Sequence, residues 1–160
     1  MIHAEITREL GGRIERSADS FGMLVLELRA DNLVPAVTRL RDAFGFDLFL
    51  DVTAVDYPQR TPRFDVVYHF YSRTHNTRVR LKVPVAEDRG NKPGVPTLTG
   101  LYGSARFMER EVHDMYGIAF AGNADLRPIL LYEGFVGHPL RKDYPMEREQ
   151  PIVPYRAYRE

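Results

Sequence analysis

Cysteine is absent from this chain of 160 residues. No disulfide can form, which leans towards a reducing compartment. The common structural zinc sites use cysteine thiolates and iron–sulfur clusters depend on them almost entirely, so the chain itself holds no thiolate-ligated cluster. A long apolar run is missing too: nothing approaches the roughly 18 residues of a membrane span. The opening residues, Met1-Ile2-His3-Ala4-Glu5-Ile6, match neither a secretory signal nor an Arg-rich, acid-poor transit peptide. The expectation is a soluble protein made where it works, with membrane association only through partners. The third absence is an excess of charge. Lys and Arg number 22, Asp and Glu number 22, and the formal net charge is zero. A nucleic-acid binder normally carries surplus basic residues, so nucleic acid is not expected as a partner. Weak self-repulsion fits a chain that lives inside an assembly.

Motifs of stand-alone chemistry are equally scarce. No GxGxxG follows a strand, and no phosphate-binding GxxxxGK loop exists, so nucleotide binding by this chain alone is unsupported. The histidines, His3, His69, His75, His113 and His138, are scattered and include no pair at the i,i+4 spacing of a helical zinc site. Ser17, Ser20, Ser72 and Ser104 stand in no nucleophile-elbow context.

What is present is a composition that is 44% hydrophobic and 11% aromatic, on a length that suits one domain with a real core. Ile2, Ile6 and Leu10 recur at helical spacing and Gly11-Gly12 stops them. Phe21 to Arg29 reads as a strand on its apolar run. Asp31 or Asn32 caps a helix whose Leu33, Val37, Leu40 and Phe44 share a face, with Pro35 in the first turn and Gly45 as the stop. Phe46 to Val55 is the next strand. Phe64, Val66, Tyr68 and Phe70 alternate, as do Val79, Leu81 and Val83 after a turn near His75-Asn76, which makes a hairpin. Arg78, Arg80 and Lys82 share the other face of its second strand, either as a solvated surface or as a contact with a partner. Glu87 to Pro96 reads as loop. Helix, strand, helix and then strands predict an α+β fold of two layers, with helices packed on one face of a mixed or antiparallel sheet.

Ser104 can cap a last helix running to Tyr116, stopped by Gly117. At 100° per residue Phe107, Met108, Val112, Met115 and Tyr116 form its apolar stripe, while Glu109, Arg110, His113 and Asp114 lie opposite, with Arg110–Asp114 at ion-pair spacing. Glu111 projects within the stripe. A buried carboxylate needs a charged partner or takes up a proton, and the cations nearby in sequence are Arg127, Arg141 and Lys142. From Gly117 onward no period of 2 or 3.6 is sustained. Yet Phe120, Tyr132, Phe135, Tyr144, Tyr155 and Tyr158 are too aromatic for ordinary disorder. Such a segment either folds back on its own domain or lies across another protein, and the second reading is preferred. The division is thus 1–116 as the globular domain and 117–160 as an extended, irregular C-terminal tail.

The stretch from Glu109 to Pro145 closely resembles the signature region of the thirty-kilodalton subunit family, the C-subunit of bacterial NADH:quinone oxidoreductase (respiratory complex I). The matching residues are Glu109-Arg110-Glu111, Asp114, Gly117-Ile118, Phe120, Gly122, Asp125-Leu126-Arg127, Gly137-His138-Pro139-Leu140-Arg141-Lys142-Asp143 and Tyr144-Pro145. Upstream, the run from Phe46 to Asp56 is similar to a strand of the same family. Two departures stand out. His113 replaces a usual aromatic, and Asn123-Ala124 replaces a His-Pro pair, which puts the shape of the loop from Gly122 to Asp125 in question.

The resemblance implies a structural and assembly subunit of the peripheral arm, with no catalytic, cofactor-binding or metal residue of its own. FMN, iron–sulfur clusters and quinone would be carried by partner subunits, and the isolated chain would have no activity. It implies packing on the large subunit that forms much of the quinone site, near the cluster-bearing subunit, at the cytoplasmic face of a bacterial inner membrane. The residues expected to form the interface or anchor the tail are those matched from Glu109 through Asp114, Asp125, Arg127 and Gly137 to Pro145. In particular, Glu111 with Arg127 or Arg141 is expected to pin the tail, and His138 to Pro145 to dock on the large subunit. Homologous subunits of membrane-bound hydrogenases and related dehydrogenases are an alternative, and a hydrolase using Glu111 and His138 a remote one.

Overall fold

The structure, a computed structural model, describes residues 2–87 and 94–150. Helix α1 (Ile2–Leu10) ends in a 3-10 turn at Gly11–Arg13, followed by strands β1 (Ile14–Ser20) and β2 (Met23–Leu28). Helix α2 (Ala30–Phe44) leads to β3 (Leu48–Asp56), β4 (Phe64–Ser72) and β5 (Thr77–Val85). A two-residue strand β6 (Val95–Pro96), helix α3 (Ala105–Tyr116) and a two-residue strand β7 (Phe120–Ala121) complete the elements.

Five strands form one sheet in the order β1-β2-β5-β4-β3. Every neighbouring pair is antiparallel except β2 and β5, which run parallel. Alternation decides which side chains meet the helices. Leu24, Leu26 and Leu28 of β2, Val79, Leu81 and Val83 of β5, and Phe64, Val66, Tyr68 and Phe70 of β4 join one buried cluster. Ile6 and Leu10 of α1, Leu33, Ala36, Val37 and Leu40 of α2, and Ala105 and Val112 of α3 complete it. The expected two-layer α+β architecture is therefore the observed one. Phe49, Phe70 and Tyr102 meet at centroid distances of 5.2–5.6 Å, and the Tyr102 hydroxyl donates to the carbonyl of Phe46 at 2.6 Å.

Several local expectations are corrected. β1, Ile14-Glu15-Arg16-Ser17-Ala18-Asp19-Ser20, carries no alternating apolar signal, because it is an edge strand exposed along most of its length. Helix α2 starts at Ala30, so Pro35 lies beyond its first turn, and neither Asp31 nor Asn32 is the cap. Phe46 belongs to the helix end, donating its N–H to the Leu40 carbonyl at 3.1 Å, and the strand begins only at Leu48. Ser104 precedes α3 without a side-chain cap. Within the expected loop, Val95 and Pro96 pair with Phe120 and Ala121 in parallel, while 88–93 fall outside the described residues, as do Tyr155 and Tyr158.

Candidate functional site

Helix α3 and the segment that follows it carry most of the sequence-selected residues. The helix buries Ala105, Glu109, Val112 and Met115. Its inward face is thus rotated from the stripe expected around Phe107, which is 56% exposed. Glu111 lies on the exposed face and forms no ion pair among the described residues. The buried carboxylate belongs instead to Glu109, at 0% exposure.

No cation faces Glu109 among the described residues. One oxygen accepts the Leu98 N–H at 2.7 Å. The other accepts the Thr97 hydroxyl at 2.6 Å and the Asn123 amide at 2.9 Å. Burial pushes this carboxyl above its usual range, and the bonds to Leu98, Thr97 and Asn123 oppose that. Asn123, one of the two residues that depart from the family pattern, is therefore what ties the Gly122–Asp125 turn to the helix. Its side-chain Oδ1 also accepts the Asp125 N–H at 3.1 Å.

Arg110 and Asp114 do not pair with each other. Both reach out to the backbone of the following segment. Arg110 donates to the carbonyls of Arg127 at 2.8 Å and Pro128 at 2.7 Å. One oxygen of buried Asp114 accepts three consecutive amides, from Ile129, Leu130 and Leu131, at 2.9–3.1 Å. One turn of helix thus clamps carbonyls and amides of a strap with no regular structure of its own. Asp125 draws three guanidinium groups, with Arg127 at 2.8 Å, Arg106 at 3.3 Å and Arg110 at 3.5 Å. Its bonds to Arg127 hold its carboxyl well below the usual carboxylate range. Arg127 pairs there and not with Glu111.

The strap then returns to the helix end. The Leu140 N–H donates to the Met115 carbonyl at 3.2 Å. His138 Nδ1 lies 2.9 Å from the Asp114 carbonyl and His113 Nδ1 3.0 Å from that of Ile118. Burial holds His138 below its ordinary pKa. Arg141 donates to the Tyr116 carbonyl at 2.6 Å and to Glu87 at 3.1 Å. These groups close around Gly117, whose φ is +72°. A Cβ there would overlap His138 Nε2 and lie 2.7 Å from Arg141 Nη2. Between α3 and the strap is a cleft of about 160 Å³ lined by His113, Asp114, Pro128, Leu131, Phe135 and His138.

A second anchor lies at the end of the sheet. Arg63 forms two bonds with buried Asp56, at 2.7 and 2.8 Å, and also reaches Glu87 and Asp143. Asp56 accepts the Lys142 N–H at 2.8 Å. Asp56, Arg63 and Glu87 escape the reading of the sequence as site residues, although alternation after Val52 and Ala54 puts Asp56 on the core face. Gly137 turns beneath the Tyr144 ring, and that ring stacks on Phe135 at 6.0 Å. Pro139 is half-buried and Pro145 exposed. The strap's outer side leaves Leu130, Val136 and Leu140 roughly half-exposed and Met146 fully exposed. Glu111 and His138 share no hydrogen bond or ion pair among the described residues. Nor does any group of three His, Cys, Asp or Glu among them have the arrangement to hold a metal ion, and no helix is long and apolar enough to cross a membrane.

Residues 26–150 match the family described as respiratory-chain NADH dehydrogenase, 30 Kd subunit. The chain belongs to this family. An NADH-quinone oxidoreductase C-subunit from Phenylobacterium zucineum is 51% identical over 127 residues, covering 79% of this chain and 59% of that one. The C-subunit of Agrobacterium fabrum is 48% identical over 146 residues, covering 89% and 71%. The chain therefore spans about three-fifths to seven-tenths of these relatives' length. Among solved structures, a trypsin-resistant fragment of Nqo5 superposes with a TM-score of 0.69 at 32% identity, over 79% of this chain and 100% of that one. A chain of the membrane-bound sulfane sulfur reductase, an archaeal respiratory membrane complex, gives 0.78 at 28%, over 91% and 85%. The 30 Kd family match includes the whole of α3 and the described strap.

Proposed function

We propose that this 30 Kd family member is a non-redox, structural subunit of a proton-translocating NADH:quinone oxidoreductase, and that it supports the quinone-reducing module. The observation that carries the reading is 48% identity to an NADH-quinone oxidoreductase C-subunit over 89% of the chain. The geometry gives that role a physical form. The strap is held from beneath by Asp114, Arg110, Arg141 and the Arg63 cluster, which leaves its apolar outer side free for neighbouring subunits. Residues 117–160 then serve as the wrapping segment, with the large quinone-site subunit and the cluster-bearing subunit as neighbours. FMN, iron–sulfur clusters and quinone would reside in other chains, and the complex would sit at the cytoplasmic face of a bacterial inner membrane. Rigid support matters because a misplacement of about 1 Å at a reacting centre can cost a hundredfold in rate.

The likeness to a chain of a sulfane sulfur reductase keeps a second reading, membership of a related respiratory complex with a different electron donor or acceptor. Affinity purification of the tagged chain from native membranes in mild detergent separates the two. Flavin, iron and NADH–quinone reductase activity in the purified material support the first. Sulfur reduction or hydrogen evolution with nickel moves the chain to a related complex. A lone soluble chain overturns both.

A further inference from the structure

Among the described residues, no helix covers the second face of the sheet. The buried cluster takes every second residue of β2, β5 and β4. The residues between them point the other way: Met23, Val25 and Glu27 on β2, Arg78, Arg80 and Lys82 on β5, and Val67, His69 and Tyr71 on β4; Arg78 is exposed, Val67 is buried and the others are half-buried. Register places Lys82 beside Glu27 and Val67, and Arg80 beside Val25 and His69. Arg16 of β1 stands next to Glu27.

Charge on this face is unbalanced. Arg16, Arg78, Arg80 and Lys82 are its cations, against Glu27, Glu15 beside it at the β1 bulge, and the Asp51 carboxylate of β3. Asp65, also on this side, is already bound to Arg60. Among the described residues none of the four cations forms an ion pair with a carboxylate. Arg80 donates its Nε–H to His69 Nε2 at 2.8 Å, so that His69 is neutral and serves only to aim the guanidinium.

At one end of this face the β1–β2 turn does something costly. Ser20 pairs with Met23, which leaves Phe21 and Gly22 as a two-residue turn, with φ of +53° and +79°. Such turns favour Asn-Gly, because the first position also needs a left-handed backbone. Here that position holds a phenylalanine, strained in its backbone and 107% exposed. With Leu48 and Leu50, each 39% exposed, and with Met23 and Tyr71, it borders an open cleft of about 570 Å³ that ends at Arg78. A bulky apolar side chain kept against both local conformation and hydration points to a contact.

We infer that this bare sheet face is a second docking surface, separate from the strap, and that it receives an extended acidic segment of another protein subunit. The carboxylates of that segment would lie along Arg78, Arg80 and Lys82, and an apolar side chain would fill the cleft beside Phe21. Complementary charge of this kind sets register and orientation, and an aromatic anchor at a desolvated pocket is where binding energy concentrates. The inference rests on the chain working within an assembly.

Lysine footprinting tests it on the complex in native membranes. The chain has three lysines, Lys82, Lys92 and Lys142, so this face reports through Lys82. Acetylation of Lys82 should run about tenfold slower in the assembly than in the released chain, as for a group cut off from water by an interface. Carbodiimide should join it to an Asp or Glu of a different polypeptide. Phe21→Asn and Arg78→Glu should each lower the share of chain in the membrane complex several-fold. In the released chain Phe21→Asn should raise the thermal midpoint, and Arg78→Glu should leave it unchanged. Equal acetylation in the two states would overturn the inference, as would cross-links only to Glu27 or to a second copy of this chain. Protection that disappears with nuclease or with removal of lipid, while the partners stay bound, would assign the face to nucleic acid or to anionic lipid instead. A wild-type chain that fails to sediment with any membrane complex would defeat the assembly reading itself. Sedimentation with an unprotected Lys82 would defeat only this surface.

Discussion

Tyr68 is fully buried in β4, and its hydroxyl meets no hydrogen-bonding partner among the described residues. Burial, and then the charge of Glu109, hold that hydroxyl well above its ordinary pKa. A desolvated polar group without a partner is a cost that its apolar isostere avoids. Tyr68→Phe should therefore leave stability unchanged or raise it by about 1 kcal/mol, read by urea unfolding. A loss of more than about 1 kcal/mol would mean that the hydroxyl is satisfied after all. Glu109 presents the opposite case, since among the described residues all its bonds come from neutral donors. Its folded pKa is raised above the ordinary 4.5, so the unfolded chain gives up this proton first. The stabilisation that the protonated carboxyl contributes is complete below about pH 4.5 and is lost as pH rises through the folded value. Relative to Glu109→Gln, the wild-type protein should thus lose ground as pH increases across that window, measured by unfolding at a series of pH values. Gly117→Ala should cost at least about 2 kcal/mol, from the left-handed φ and the overlap with His138 together. His138→Ala should recover part of it in a double-mutant cycle, since it removes the nearest obstruction.

For the strap, the controlling contact is a single carboxylate oxygen on three successive amides. Asp114→Ala leaves those N–H groups without their acceptor, so amide exchange at Ile129, Leu130 and Leu131 should accelerate by at least about tenfold while β4 and β5 keep their protection. Unchanged exchange at those three residues would show that the Arg63 and Arg141 anchors suffice. This clamp also explains what can be read from the sequence and what cannot. Helix α3, its stop at Gly117 and the hairpin of β4 and β5 follow from periodicity and from one glycine. Periodicity misplaces the inward face of α3 because it ranks residues by hydrophobicity. Glu109 breaks that ranking: its burial depends on Thr97, Leu98 and Asn123, which lie 11 to 14 residues away in either direction. Arg110 and Asp114 have the spacing of a local ion pair, and only the fold reveals that each bonds to distant backbone instead. β1 leaves no pattern because an exposed edge strand has no buried face to encode. Asp56 is legible in principle, since it continues the alternation of Val52 and Ala54. Its partner Arg63 sits across a loop that Pro58 and Pro62 mark in the sequence, but nothing in the sequence says that the loop brings Arg63 back onto Asp56.

For the molecule as a whole, the two anchored ends of the strap make one testable statement about assembly. The ionic frame beneath it is internal: Asp114, Asp125, Asp56 and Arg63 are spent on holding the strap to its own domain. Leu130 and Leu140 contribute little to that frame. They are 63% and 51% exposed, and among the described residues only their main-chain amides take part in it. Replacing either by Asp should then change the stability of the chain by no more than about 0.5 kcal/mol, as for other surface positions. If the outer side of the strap is the face that meets the large subunit, the same carboxylate would be desolvated at an apolar interface without a partner, which costs about 1–3 kcal/mol or more. Leu130→Asp and Leu140→Asp should accordingly reduce assembled complex and quinone reductase activity together, in proportion, with turnover per assembled complex unchanged. Lower activity per complex at full assembly would instead mean that the strap tunes the reaction and does not merely hold its neighbours. Full assembly with full activity would remove the strap from the interface and leave the bare sheet face as the remaining docking surface.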